Sequence, residues 1–341
     1  MPFQITGRPR KRKGPSEVVG VDMGTTGFKA VRMRRSKEGM QVLAADVLPV
    51  QWPEEDKPET AHLTLPKHLL TNYCALALSG DSAAVRIVSV PGHPDKNPVD
   101  EAHLREQVGL GEDFRMAYAV ISQAVKAKAE SKLLVVGMPE QEALGVLGMV
   151  AEGPPAAVGL EIAGLSSFNA FLKGPGQELA QDAVGVIESG AKITFMAFFN
   201  KGVLSLVRKF DFGSETLVAK VQQQMGVDRD TAQGIISDGA FDISQPVHEV
   251  MDPFLRQMLI SRDFVERKEE CRVSAMYLSG GACLSRWWQE EMRNAAGVEV
   301  RLWNPFEGLD MAEGVLPEAW QGRETVFTAA VGVCLGALGE P

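Results

Sequence analysis

The chain has 341 residues, of which 45% are hydrophobic and 23% charged, and a formal net charge of −9. This length can bury a large core and form two domains, while the acidic balance argues against general nucleic-acid binding, which requires a basic surface. The four cysteines are scattered and form no CxxC pair, so neither a disulfide framework nor a zinc site is expected. No segment reaches the roughly 20 apolar residues of a membrane-spanning helix, and we expect a cytoplasmic protein.

Residues 1–16 are predicted to form a disordered basic leader. Five cations lie close together in it, at Arg8, Arg10, Lys11, Arg12 and Lys13. No apolar stretch follows them, so the segment is not a secretory signal. A solvated, frayed terminus is the simpler interpretation, and a weak contact with anionic lipid headgroups is the alternative.

The first half of the chain is predicted to mix short strands with helices. Periodicity and the bounding Gly and Pro residues predict strands Val18–Val21, Phe28–Met33, Gln41–Pro49, Ala83–Val90, Met116–Gln123 and Lys132–Gly137, with helices in Pro98–Gly109, Glu140–Glu152 and Gly164–Phe171. Residues 51–66, rich in Pro and Glu, are predicted to form a loop.

The pattern starts again near Gln177. The second half is predicted to contain strands Ala183–Glu188, Ile193–Phe199, Leu204–Phe210, Val273–Leu278 and Val298–Leu302, helical regions at 214–238 and 249–269, a helix from Leu284, and a last helix at Thr325–Leu338. Each half opens with a strand, an acid-x-Gly turn and another strand, which indicates a distant duplication. Two α/β domains facing one cleft are therefore expected.

The first motif that can carry chemistry is the turn from Asp22 to Lys29. Gly24 lets the backbone approach a polyanion, and successive N–H groups in a tight turn form an anion-binding concavity. Thr25 and Thr26 add hydroxyl donors, and Lys29 can reach back with a positive charge. Asp22 at the end of the strand can hold Mg²⁺ through water. The alternative is an ordinary hairpin turn.

Two further glycine turns lie in the second half. The segment Glu188-Ser189-Gly190-Ala191-Lys192-Ile193-Thr194 repeats the arrangement of the first motif, and it is informative only as the partner of that motif. The segment Ser279-Gly280-Gly281-Ala282 is a strand-to-helix turn in which paired glycines permit close approach of a base or sugar. A capped βα loop is the alternative for this third motif.

The order of these three motifs resembles the phosphate-1, phosphate-2 and adenosine motifs of the actin-like ATPase superfamily. Within the superfamily, the chain is most similar to the PilM/FtsA group, over about residues 17–338. Four passages carry this likeness: Arg86–Pro91 before Asp100–Gln107, Gly159–Ile162 before Ala163–Phe171, Phe210–Leu217, and Trp303–Phe306. The resemblance implies an α/β, actin-like (ribonuclease H-like) duplicated two-domain fold around a central nucleotide cleft.

The resemblance also implies a ligand set, which is ATP with Mg²⁺. The residues that it places near the phosphates and the metal are Asp22, Gly24, Thr25, Thr26 and Lys29 in the first half, with Glu188, Ser189 and Gly190 in the second. Those that it places near the adenosine are Gly280, Gly281 and Ala282, with Gly213 and Ser214 close by. It implies domains at 17–175 and 176–341, with a small subdomain inserted at about 80–138.

The function that the resemblance implies is a cytoplasmic, ATP-binding scaffold of a type IV pilus or related secretion apparatus. PilM-like proteins hold the N-terminal cytoplasmic peptide of PilN, an inner-membrane protein, in a groove beside the inserted subdomain. The expected partners are therefore a PilN-like protein and the pilus assembly platform. The expected location is the cytoplasmic face of the inner membrane.

Three departures from the superfamily pattern bear on catalysis. Glu188 stands where the family has Asp, which changes the geometry available to Mg²⁺. The helix that usually contacts the ribose through charged residues reads Thr231–Ile236 and has none. No water-activating residue can be identified, so we expect at most a weak ATPase or a nucleotide-binding pseudo-ATPase.

Two alternative functions share the superfamily fold. The first is an FtsA-like, membrane-associated filament, which usually ends in an amphipathic helix after a linker; here only Gly339-Glu340-Pro341 follows the last predicted helix. The second is a phosphotransferase of the sugar-kinase or acetate-kinase type. Such a kinase needs a general base for the acceptor hydroxyl and a set of sugar contacts, and neither stands out in this sequence.

Overall fold

The computed structural model describes residues 14–50, 62–92, 94, 99–123, 130–150, 153–238 and 241–339. The chain divides into two compact units, one within Met1–Phe171, Phe306–Gln321 and Ala329–Pro341, and the other within Leu172–Pro305 and Gly322–Thr328. The units are interleaved along the chain, and the domain boundaries expected from the sequence stay a prediction. Residues 1–13 of the expected leader and 51–61 of the expected loop lie outside the described residues.

The strands form three sheets. Their bounds are β1 Glu17–Gly24, β2 Gly27–Arg35, β3 Met40–Leu48, β4 Tyr73–Leu78, β5 Ala84–Pro91, β6 Phe114–Ser122, β7 Glu130–Pro139, β8 Ala156–Ile162, β9 Ala183–Ser189, β10 Thr194–Asn200, β11 Val203–Phe210, β12 Val273–Ser279, β13 Glu299–Leu302 and β14 Asp310–Met311. The strand orders are β14-β3-β2-β1-β4-β8 and β5-β7-β6 in the first unit, and β11-β10-β9-β12-β13 in the second.

The helices cover these sheets. Their bounds are α1 Glu101–Val108, α2 Glu140–Gly148, α3 Ala163–Lys173, α4 Ser214–Met225, α5 Arg229–Asp238, α6 Ser244–Glu269, α7 Arg286–Ala296 and α8 Thr328–Leu338. Across the described ranges, no helix is both long and apolar enough to cross a bilayer.

The last helix completes the first unit. A Cβ atom on Gly20 of β1 would overlap the carbonyl oxygen of Ala330, and a Cβ on Gly332 would overlap that of Ser166 in α3. Helix α8 therefore lies at backbone contact distance from both the first strand and α3. Glycine is required at these crossings because any side chain would push the elements apart.

The three-stranded sheet of the first unit has its own small core. Helix α1 begins at Asp100, whose carboxylate accepts bonds from the next two free N–H groups of the helix, and it ends at Gly109 with φ 70°. Leu104 of α1 packs with Leu133 and Val135 of β7. One face of this sheet is thus covered by α1.

The second unit packs α4–α7 against its sheet. Aromatic rings run through the core, with Trp288 of α7 stacked on Phe212 at 4.9 Å and Phe212 stacked on Phe254 of α6 at 5.2 Å between centroids. Strands β9 and β12 are parallel neighbours at the centre of the sheet. Their carboxyl ends therefore meet at one edge.

Several predicted elements need correction. Strand β4 was not predicted, and neither was β8, because both are short apolar runs rich in Ala and Leu without polar alternation. The helical region at 214–238 is two helices, separated at Gly226, which adopts φ 66°. The helix expected from Leu284 begins at Arg286, after a 3-10 turn.

Candidate functional site

The first motif is a tight hairpin between β1 and β2. Gly24 pairs with Gly27 across the two strands, so Thr25 and Thr26 form the turn. Thr25 is half-buried and Thr26 is exposed. The backbone and both hydroxyls therefore lie at the end of the β1–β2 hairpin, and anion binding by this turn stays a prediction.

Asp22 and Lys29 face each other across this hairpin. They are direct partners in the strand register, and Lys29 Nζ lies 3.9 Å from Asp22 Oδ2. A Cβ on Gly24 would lie 2.8 Å from Lys29 Nζ, so the missing side chain leaves room for the amine above the turn. The motif thus brings one carboxylate, one ammonium and a glycine turn together.

The Asp22 carboxyl is in an unfavourable electrostatic environment. Only 9% of the residue is exposed. Burial raises the pKa of this carboxyl, and the positive charge of Lys29 offsets only part of that rise. A cation bound beside Asp22 would therefore lower its pKa and favour the ionised form.

A second buried carboxylate lies in the same row of the sheet. Asp22 pairs with Ala77 of β4, and Ala77 pairs with Glu161 of β8. Cross-strand neighbours share a face of a sheet, so both acids are on one side with the small Ala77 between them. Glu161 accepts a hydrogen bond of 2.7 Å from Ser166 Oγ and lies against Gly336 of α8, which gives it a role in holding α3 and α8.

The second motif is a turn whose side chains partly face inward. Ser189 Oγ and Thr194 Oγ1 are 3.0 Å apart, and Thr194 Oγ1 donates to the carbonyl oxygen of Phe212 at 2.8 Å. Both hydroxyls are buried. The N–H of Gly190 donates to the carbonyl of Ile193, which closes the turn. Ser189 therefore braces the turn, while Glu188 remains half-buried.

Helix α4 begins directly against the second motif. The N–H groups of Ser214 and Glu215 donate to the carbonyls of Gly190 and Ala191, at 3.1 and 2.8 Å. A Cβ on Gly213 would lie 2.6 Å from the Gly190 oxygen. Gly213 and Ser214 are thus brought to the second motif, and their close packing explains why glycine precedes the helix.

The third motif lies beside the second at the carboxyl ends of β9 and β12. Ser279 pairs with Glu188 in the parallel register. Gly280 has φ 91°, and a Cβ there would lie 2.8 Å from Glu188 Oε1 and overlap the Ser189 carbonyl. Gly281 is exposed with nothing near its Cβ position, and Ala282 is buried. The structure therefore brings Glu188, Gly190, Gly213 and Gly280 together.

Two residues that hold the second and third motifs in place could not be recognised in this role from the sequence. Thr194 ties the second motif to Phe212, and its position at the start of β10 gave no sign of this role. The carbonyl oxygen of Thr325 accepts a hydrogen bond of 3.1 Å from the N–H group of Gly280. Thr325 is 45 residues further along the chain, so local pattern could not connect it with the third motif.

Several solved structures are similar to this chain. A solved structure titled PilM-PilN type IV pilus biogenesis complex matches with a TM-score of 0.77 at 18% identity, covering 96% of this chain and 100% of that chain. MreB 5 of Spiroplasma citri bound to AMPPNP matches at 10% identity over 95% of each chain, with a TM-score of 0.47. EutJ of Carboxydothermus hydrogenoformans matches at 13% identity, over 95% of this chain and 91% of that chain, with a TM-score of 0.44. No curated protein matches this chain by sequence.

The fold is that of an actin-like α/β protein. The family model described as type IV pilus assembly protein PilM matches residues 166–337, just over half of the chain. The chain therefore belongs to the PilM family of type IV pilus assembly proteins. The predicted fold class and the predicted family are both confirmed.

Proposed function

We propose that this protein is a nucleotide-binding assembly scaffold that holds the N-terminal cytoplasmic peptide of a PilN-like inner-membrane protein. The observation that carries the proposal is the membership of the PilM family, supported by the near-full-length similarity to the PilM–PilN complex. This function locates the protein at the cytoplasmic face of the inner membrane through its partner, in contact with the pilus assembly platform.

The peptide site that we propose is the face of the three-stranded sheet opposite α1. Leu134 of β7 pairs with Ile87 and with Ala119, so these three side chains form one row on that face. Val136 pairs with Ala117 in the next row. Ile87 and the two alanines are half-buried. Leu134 and Val136 are themselves buried, so Ile87, Ala117 and Ala119 supply the partly exposed apolar surface on which an extended peptide can pack.

Calorimetry with the peptide of the partner from the same pilus system tests this site. We expect saturable binding to the full chain, loss of binding in Ala119→Asp, and unchanged binding in Ala102→Asp, which places the same charge on the exposed surface of α1. Thermal unfolding verifies that both variants remain folded. No heat with the unmodified chain, or equal binding by both variants, would contradict the proposal.

We propose that the three motifs bind ATP with Mg²⁺. Asp22 would hold the metal through water, the turn at Gly24–Thr26 with Lys29 would contact the phosphates, and the turns at Gly190 and Gly280 would contact the remaining nucleotide. The raised pKa of Asp22 supports a cation partner, because a charge beside it relieves the cost of burial. Glu188 is the second carboxylate that the family resemblance offers as a metal ligand.

Thermal unfolding with and without Mg²⁺-ATP tests the nucleotide proposal. A ligand at about 100 times its dissociation constant stabilises the folded state by about 2.7 kcal/mol. We expect this shift in the unmodified chain and its loss in Asp22→Ala. No shift at millimolar ATP would leave the protein a peptide-binding scaffold without nucleotide.

A further inference from the structure

Two flat side chains lie against each other at the start of α7, shortly after the third motif. The guanidinium carbon of Arg286 lies 4.6 Å from the ring centroid of Trp287. Arg286 is exposed, whereas Trp287 is half-buried and packs against the hydrophobic core of the second unit. Contact with this anchored indole orients the guanidinium, which is otherwise the end of a flexible side chain. We call these two residues the stacked pair.

The turn that leads into the stacked pair leaves room for a ligand. Gly281 is exposed, and among the described residues nothing outside the turn lies within 4 Å of the position that its Cβ would occupy. The 3-10 turn Gly281–Leu284 and the single residue Ser285 separate this glycine from Arg286. At about 2 Å per residue the turn is about 8 Å long, so the glycine and the stacked pair lie on one short stretch of the second unit.

We propose that the purine base of a bound nucleotide stacks on Arg286 of the stacked pair. This inference rests on the nucleotide binding proposed above, to which it adds the residue that contacts the base. A guanidinium has two flat faces; the indole covers one, and the base would lie against the other, because nucleic-acid bases stack on arginine planes as well as on aromatic rings. The open space at Gly281 would allow the ribose to approach the turn.

Recognition by stacking defines the class of nucleotide. Stacking depends on the flat face of a base and not on the hydrogen-bonding groups at its edge, so it tolerates either purine. A purine has two fused rings and covers more of the guanidinium than a pyrimidine does. The stacked pair therefore predicts similar affinity for adenine and guanine nucleotides and weaker binding of cytosine and uracil nucleotides.

Calorimetry with Mg²⁺-ATP and Mg²⁺-tripolyphosphate tests the contact, because the two ligands share the phosphates and only ATP has a base and a sugar. We expect the unmodified full chain to bind ATP about tenfold more tightly than tripolyphosphate, which is within the range for stacking of one base. GTP should match ATP within about threefold. Equal affinity for ATP and tripolyphosphate, or a clear preference of more than about tenfold for ATP over GTP, would overturn the proposal.

A substitution that keeps the charge isolates the contribution of the planar group. Arg286→Lys retains the positive charge but has no flat guanidinium. We expect it to weaken ATP binding about tenfold and to leave tripolyphosphate binding unchanged. Arg293→Lys makes the same change at another exposed position of α7, where Arg293 donates to Gln289, and should bind both ligands normally. Thermal unfolding without ligand verifies that both variants remain folded.

The outcomes separate this inference from the nucleotide proposal on which it rests. If Arg286→Lys binds ATP as tightly as the unmodified chain does, the contact with the base is overturned and nucleotide binding stands. An equal loss of affinity for ATP and tripolyphosphate in this variant would also overturn it, because the loss would not depend on the base. If the unmodified chain binds neither ligand, both the nucleotide proposal and this inference are contradicted.

Discussion

Asp22, which we propose as a ligand residue, illustrates how a buried carboxyl can cost stability at the scale of one residue. Its carboxyl has an ordinary pKa of 3.8, and burial raises that pKa in the folded protein even with Lys29 nearby. At pH values between 3.8 and the raised pKa, the carboxyl has released its proton in the unfolded chain but retains it in the folded chain. The free energy of unfolding therefore falls as pH rises through this window and stays lowered above it.

We predict that Asp22→Asn raises the free energy of unfolding of the ligand-free protein at pH 7. The neutral amide removes the cost of a buried charge, and the gain should disappear below pH 3.8, where the carboxyl is protonated in both states. Denaturant unfolding at several pH values measures this difference. A loss of stability at neutral pH would show that the pair with Lys29 outweighs burial.

Gly280 is a second position where one residue decides the geometry. In Gly280→Ala, the alanine would have to adopt φ 91°, and its Cβ atom would overlap the Ser189 carbonyl. We predict destabilisation by at least about 2 kcal/mol. The neighbouring Gly281→Ala is the control, because nothing lies near its Cβ position, and it should stay within about 0.5 kcal/mol. Equal effects of both variants on denaturant unfolding would contradict the role of the turn.

At the scale of elements, the crossing of α3 and α8 requires glycine. Gly332→Ala would normally favour a helix by about 1 kcal/mol, but its Cβ overlaps the Ser166 carbonyl. We predict net destabilisation of about 1–3 kcal/mol. Gly234→Ala in the middle of α5 has open space around the new Cβ and should stabilise by about 1 kcal/mol. In denaturant unfolding, the two substitutions should change the free energy of unfolding in opposite directions. Changes in the same direction would contradict the close packing of α3 and α8.

Elements with a local signal could be predicted from the sequence, and those defined by distant contacts could not. The hairpin at Asp22 was predictable because alternation and the glycines lie within a few residues. The short apolar runs of β4 and β8 carry no period that separates a buried strand from a helix. Likewise, Ser189 could be assigned to a turn, but its inward bond to Thr194 depends on the position of Phe212 in the folded unit.

At the scale of the whole molecule, the first unit needs segments from both ends of the chain. A fragment of residues 14–171 lacks α8. The core of the fragment therefore loses the buried apolar residues of this helix, which include Val331 and Leu335. We predict that this fragment binds hydrophobic dye and unfolds without cooperativity. Joining residues 306–339 to it through a Gly-Ser linker should restore a cooperative transition. Cooperative unfolding of the short fragment would contradict this dependence on α8.

The contact between Gly20 and Ala330 also governs the timing of folding during synthesis. The ribosome releases the first strand early, but the helix that covers it is synthesised about 300 residues later. At about 5–20 residues per second, the roughly 170 residues after α3 take about 10 to 30 seconds to synthesise. During that interval the Gly20 face of the sheet stays uncovered in the nascent chain. A holding chaperone that shields this face would therefore raise the yield of native protein, most of all when translation is slow.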